Sequence, residues 1–226
     1  MTNYNDITVY YNTVYYKELG FKRPEKHFDI YLKYLNLKGQ NKKILDIGCG
    51  LGAFIGRAIK NGYLTFGIDI SDKAIAYAKG LYSHGDFRVG RAEELPWPDA
   101  YFDGIVCLGS LEHFLNVASA IREMVRVSHE GTKVIIMVPN VNFPGFHGTE
   151  QTAIKEDLFD LEEWSSILCQ NGLTVPEVHA DRWPVRWISL PKRDPLKFIL
   201  RLCERCKVLS LPIEKCYQFI FVCRKC

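Results

Sequence analysis

Short apolar runs recur along the chain at 44–47, 64–70, 105–108, 134–138, 173–178 and 219–223. Each has the length of a strand and is rich in β-branched or aromatic residues, which suit a pleated surface. Between them, apolar positions recur at helical spacing over about 52–61, 72–82, 116–128 and 158–171. Asn61-Gly62, Glu130-Gly131 and Asn171-Gly172 fall where helices should stop and strands begin. This alternation predicts an α/β protein whose sheet is mostly parallel and covered on both faces. Residues 1–37 have a different texture. Tyrosines 4, 10, 11, 15, 16, 31 and 34 are spread over segments that read as helical.

At 226 residues the chain is expected to form a single domain. Its parts are an N-terminal helical cap (1–37), a core (38–180), a basic, cysteine-containing insertion (181–216) and a last strand (217–226). Apolar residues make up 47% and charged residues 24%. That balance excludes a disordered tail or a disulfide-dependent miniprotein. The longest clean apolar runs, 134–138 and 219–223, are far short of the roughly 20 residues of a spanning helix. The start MTNYNDITVY lacks a basic stretch followed by an apolar one. With eight cysteines, this suggests reduced thiols and a cytoplasmic location. The net charge of +3 conceals an asymmetry: residues 182–226 hold eleven Lys/Arg against three Asp/Glu, a net of +8. The first 181 residues therefore carry −5. A basic end of this kind suits an anionic partner or a membrane surface, or is simply a solvated face.

The stretch ILDIGCGLGAF at 44–54 carries the chemistry. A buried strand runs into Gly48, Cys49, Gly50, Leu51 and Gly52, and glycines there let backbone lie against a ligand. Asp69 closes the next strand, where an acid can accept both ribose hydroxyls of an adenosine. Asp46, beside the loop, would repel a pyrophosphate and attract an ammonium group. Two acids and a glycine turn therefore match S-adenosylmethionine (SAM) better than NAD.

These residues resemble a class I SAM-dependent methyltransferase of the small-molecule, type 11-like family. The resemblance covers about residues 40–180 and the final strand. It rests on ILDIGCGLG (44–52), GIDIS (67–71), GRAEELPWPDAYFDGIVCLGSLEHF (90–114) and RVSHEGTKVIIMVPN (126–140). It implies a Rossmann-like, doubly wound, seven-stranded sheet with an antiparallel last strand. It also implies that Asp46, Gly48, Gly50 and Gly52, with Cys49, frame the methionine part of SAM. Asp69 would bind the ribose, Ile70 the adenine, and Ala92 and Glu93 the adenine amine, with Cys107 and Leu108 beneath. Members of the family often have an acid where this chain has Arg91, which reads here as a solvated residue. Tyr11, Tyr15 or Tyr16 could close a lid over the cofactor, which leaves as S-adenosylhomocysteine.

Transfer from a sulfonium needs alignment more than side-chain chemistry. A base is required only if the acceptor must lose a proton. His113 and Glu112, after the strand at 105–108, and His147, in the loop 139–151 with Phe143, Phe146 and Glu150, are the candidates. The expected acceptor is a small or lipophilic molecule. The rivals are an RNA methyltransferase using the basic end and a regulator that binds SAM without turnover. No nucleic-acid motif is recognisable, so nucleic acid is not the expected partner.

Cys203-x-x-Cys206 and Cys223-x-x-Cys226 have spacing compatible with a four-thiolate zinc site. Against it, Cys223 lies in a strand and the first pair on a helix. Leu196, Ile199, Leu200, Cys203 and Cys206 recur at helical spacing with Lys197, Arg201 and Arg205 elsewhere on the wheel, and Trp183 and Trp187 precede them. Such a helix can pack on the sheet, roof the acceptor pocket or lie on a membrane.

Overall fold

The computed structural model describes residues 3–15, 23–144, 154–181 and 195–226. Seven strands form one sheet: β1 (Lys43–Ile47), β2 (Leu64–Asp69), β3 (Gly85–Val89), β4 (Phe102–Leu108), β5 (Ser128–Pro139), β6 (Leu173–Asp181) and β7 (Gln218–Lys225). Their order is β3-β2-β1-β4-β5-β7-β6. Pairing is parallel except at β7, which runs antiparallel to both β5 and β6. The α/β class and the antiparallel last strand are as expected. The spatial order reverses at β1/β4, the switch point where open α/β sheets bind ligands.

Seven helices accompany the sheet: α1 (Tyr4–Tyr10), α2 (Asp29–Leu35), α3 (Ala53–Lys60), α4 (Asp72–Leu81), α5 (Val117–Val127), α6 (Leu161–Gln170) and α7 (Pro195–Ser210). Alternation along the central strands sorts side chains to two faces. Leu45, Ile105, Val134, Ile136, Phe219 and Phe221 pack with α5 and α6 through Ile121, Met124, Trp164 and Leu168. Ile44, Val106, Ile135, Ile220 and Val222 pack with α2 and α3 through Tyr31, Leu35, Phe54 and Ala58. Central strands read as continuous apolar runs because both of their faces are buried.

Strand β3 did not emerge from the sequence pattern. Only Phe87 of its five residues is buried, as befits an edge strand, so the apolar signal is a single side chain. Side-chain caps fix two helix starts near the ligand edge. Ser71 accepts from the Ala74 N–H at α4, and Asn116 accepts from the Ser119 N–H at α5. Among the described residues, no helix is long and apolar enough to cross a membrane.

Candidate cofactor and acceptor site

The turn after β1 is shaped by backbone. Gly48 has φ +71°, and a Cβ there would lie 2.4 Å from the Ser110 hydroxyl. The N–H groups of Gly48 and Cys49 both donate to the Ile68 carbonyl, at 2.9 and 3.0 Å, fixing the turn against β2. Asp69 is pinned next to it. Its carboxylate accepts from the Gly50 N–H at 2.8 Å and the Ser71 N–H at 2.9 Å. Each oxygen thus receives one backbone bond and keeps a lone pair for a ligand hydroxyl.

Asp46 is buried immediately before the turn. Burial, with the Asp69 charge second, pushes its carboxyl up to about 8. Desolvation likewise raises Asp69, against the pull of its backbone donors. Two neighbouring acids held above their ordinary range gain by facing a cation.

The turn opens on a cavity of about 310 Å³. Its lining includes Gly48, Ile68, Asp69, Ile70, Ala92 and Glu93. The loop carrying Ala92 and Glu93 is clamped from α5. Arg126 donates to the Leu95 and Trp97 carbonyls at 2.9 and 2.8 Å, while Glu123 accepts from the Leu95 N–H at 2.7 Å. Leu108, Ser110, His113, Phe114 and Ile154 also line the cavity, as do Tyr4, Ile7, Tyr10 and Tyr11 from the N-terminal segment. Asn12 secures that segment, donating to Asp72 at 2.6 Å and accepting from the Ser71 hydroxyl at 2.6 Å.

Of the residues expected at the site, Gly48, Asp69, Ile70, Ala92, Glu93, Leu108 and His113 line the cavity, whereas Asp46, Cys49, Gly50, Gly52 and Cys107 are not among its lining residues. Glu112 is 3% exposed and is not among the lining residues; its Oε1 lies 3.9 Å from His113 Nε2, and its Oε2 lacks a hydrogen-bond partner. Arg91 is more than a solvated residue: its guanidinium lies 4.5 Å over the Tyr4 ring, pairs with Glu94 at 3.1 Å and lines the cavity. His147, Tyr16, Phe146 and Glu150, and the side chain of Tyr15, lie outside the described residues. The zinc arrangement is not formed. Cys223 is buried in the core, while Cys203, Cys206 and Cys226 are exposed, and no metal-holding cluster occurs among the described residues. A strand side chain packed between β5 and β6 cannot turn outward to join three surface thiols.

Tyr4, Ile7, Tyr10, Ser110, Phe114 and Ile154 are lining residues that the sequence reading missed. The spacing of Tyr4, Ile7 and Tyr11, at i, i+3 and i+7, was the available signal for one helical face. His113 lines the cavity with a fixed ring orientation. Its Nδ1 is 3.0 Å from the Lys155 carbonyl, which can only accept, so Nδ1 carries the proton. Burial holds its pKa below the ordinary histidine value, leaving a neutral ring whose unprotonated Nε2 lies 3.9 Å from Glu112 Oε1.

The switch-point cleft, the glycine turn and the paired acids lie largely within a segment that matches a known family. Residues 45–136 match the model of the methyltransferase domain family. Ajmaline N-methyltransferase of Rauvolfia serpentina is 37% identical over 103 residues, 42% of this chain and 35% of that protein. A ubiquinone biosynthesis O-methyltransferase of Azoarcus sp. (strain BH72) is 33% identical over 110 residues, 46% of this chain and 47% of that protein. The chain thus spans about a third to a half of the length of these curated relatives.

Among solved structures, phosphoethanolamine N-methyltransferase 2 of Haemonchus contortus, in complex with SAM, superposes with a TM-score of 0.72 at 18% identity. The match covers 100% of this chain and 60% of that one. The [4+2]-cyclase SpnF superposes with a TM-score of 0.71 at 18% identity, covering 99% and 97%. At such identity the likeness is one of fold, and the fold is held by a cyclase as well as by methyltransferases.

Proposed function

We propose that the chain transfers the methyl group of SAM to a small, apolar-bodied acceptor at an oxygen or nitrogen that loses a proton to His113. The observation that carries this reading is one cavity lined by two unlike groups. A carboxylate with spare lone pairs, Asp69, and a neutral histidine, His113, both line it, together with aromatic and aliphatic side chains.

SAM supplies an activated methyl group when bound. Asp69 would accept its ribose hydroxyls, Ile70 and Ala92 would flank the adenine, and Asp46 would face the cationic methionine end across the turn. Tyr10, Tyr11 and Phe114 would hold the acceptor body and exclude water. Positioning of this kind is worth up to about 7–11 kcal/mol. The Lys155 carbonyl keeps the His113 proton on Nδ1, so Nε2, which lies 3.9 Å from Glu112 Oε1, is the atom that would take the acceptor's proton.

The names of the relatives, N- and O-methyltransferases of small molecules, support the acceptor class. The test is calorimetry with SAM, S-adenosylhomocysteine and NAD, followed by S-adenosylhomocysteine release from a panel of phenols and amines. SAM binding with turnover on members of the panel is expected. NAD binding, or no uptake of SAM, would overturn the reading. Tight SAM binding with turnover only on RNA, or with none, would replace it by one of its two rivals.

A further inference from the structure

Helix α7 carries six of the thirteen large apolar side chains that are exposed among the described residues: Leu196, Phe198, Ile199, Leu200, Leu202 and Leu209. Their exposures run from 38% to 69%. Exposed apolar residues are ordinarily scattered singly, and a gathering of them on one element marks an interaction surface. At 100° per residue, Phe198, Leu202, Cys206, Ile199, Cys203, Leu196 and Leu200 sweep an arc of about 200°. Lys197, Arg201, Glu204 and Val208 share the opposite side, Arg205 stands at one border of the arc, and Lys207 lies just inside the other. The helix holds four cations against one anion.

Two features select the occupant. A partner's groove covers a stripe of about 100°, so a twofold wider arc would remain half bare in it. A plane of lipid has no such limit, because a helix sinks into it to half its girth. The cations at the borders then reach headgroup phosphates while their stems stay with the acyl chains. The net charge of +8 that residues 182–226 carry along the sequence complements an anionic surface.

We propose that α7 is an interfacial anchor that lays the chain on an anionic lipid bilayer. This inference is independent of the reading of the cofactor site. Sedimentation of the whole chain with phosphatidylcholine vesicles, and with vesicles half phosphatidylglycerol, tests it. Binding to the anionic vesicles alone, weakening as salt rises, is expected. The double variant Ile199→Asp/Leu202→Asp should bind them at least about tenfold more weakly, since two apolar anchors are replaced by charges that lipid repels. Arg205→Gln/Lys207→Gln should weaken binding several-fold. Circular dichroism and SAM affinity of all variants should match the parent, because neither pair touches the cavity. Absence of binding to either vesicle, or binding undiminished in the Asp variant, would overturn the proposal. So would an unbound protein whose dimer is broken by Ile199→Asp/Leu202→Asp, which would make a second copy the occupant.

Discussion

The carboxyl edge of the sheet is built in two ways. Over β1–β3 the ligand surface is mostly backbone: N–H groups locked onto the Ile68 carbonyl, and a carboxylate locked by two further N–H groups. Beside β4 it is a collection of side chains drawn from the β4 loop, residue 154 and the N-terminal segment. Apart from the Asp69 carboxylate, the first half is set by the chain path. The second can change acceptor shape residue by residue without disturbing the sheet. A common donor and a variable acceptor call for that division.

The strongest test of the side-chain half is His113→Gln. If Nε2 takes the acceptor's proton, kcat should fall by about 10²–10⁴-fold, with SAM affinity unchanged in calorimetry. An equal loss of SAM affinity would erase the distinction between the halves. On the backbone half, Gly48→Ala meets both a positive φ and the Ser110 hydroxyl. It should cost about 2–4 kcal/mol of stability, a Tm drop of roughly 5–15 °C by thermal unfolding. Asp69→Ala should leave the fold intact and weaken SAM binding tenfold or more, through loss of charge-assisted hydrogen bonds worth about 1.5–3 kcal/mol.

A smaller effect comes from protons. The folded Asp46 carboxyl sits at about 8, above the ordinary aspartate value of about 3.9. Between those values the unliganded fold keeps a proton that the unfolded chain has lost. This contribution to stability is therefore complete below pH 4 and fades as pH rises through 8. Unfolding at pH 6 and pH 9 should show the decline, and Asp46→Asn should flatten it in part, because buried Glu112, also raised to about 8, titrates in the same direction. A cationic ligand should expel the Asp46 proton, so the apparent binding enthalpy of SAM at pH 7 should vary with buffer ionisation enthalpy, and less so in Asp46→Asn. Smallest of all, Arg91→Ala removes the cation–π contact with Tyr4. At a partly exposed site this is worth about 0.5–1 kcal/mol, and should show as a few-fold faster SAM release in stopped flow.

The two halves also differ in how far they could be read from residues alone. The glycine turn, Asp46 and Asp69 were legible because local backbone geometry dictates those residue types at those spacings. The central strands were legible because burial on both faces leaves unbroken apolar runs. Strand β3, with Phe87 alone buried, carried too little of that signal. Strand β5 begins at Ser128, ahead of the apolar run at 134–138, because its first half is polar and interrupted by Gly131 at φ +86°. On the acceptor side, the tautomer of His113 depends on a carbonyl 42 residues away, and the role of Arg91 on a ring from α1. Neither relation is expressed in local spacing. The inward turn of Glu112 is equally tertiary, since its neighbour His113 faces the cavity.

The position of β7 has a consequence for how the molecule is made. It is the last strand in chain order, yet it lies between β5 and β6. Strand β6 therefore leaves the ribosome with no neighbour to pair with, and β5 with one flank open, until residues beyond 217 are free to insert between them. The half of the sheet that holds the glycine turn can assemble while synthesis continues. The other half must wait for a strand to be slotted in from the far end of the chain, a non-local step of the kind that sets slow folding rates.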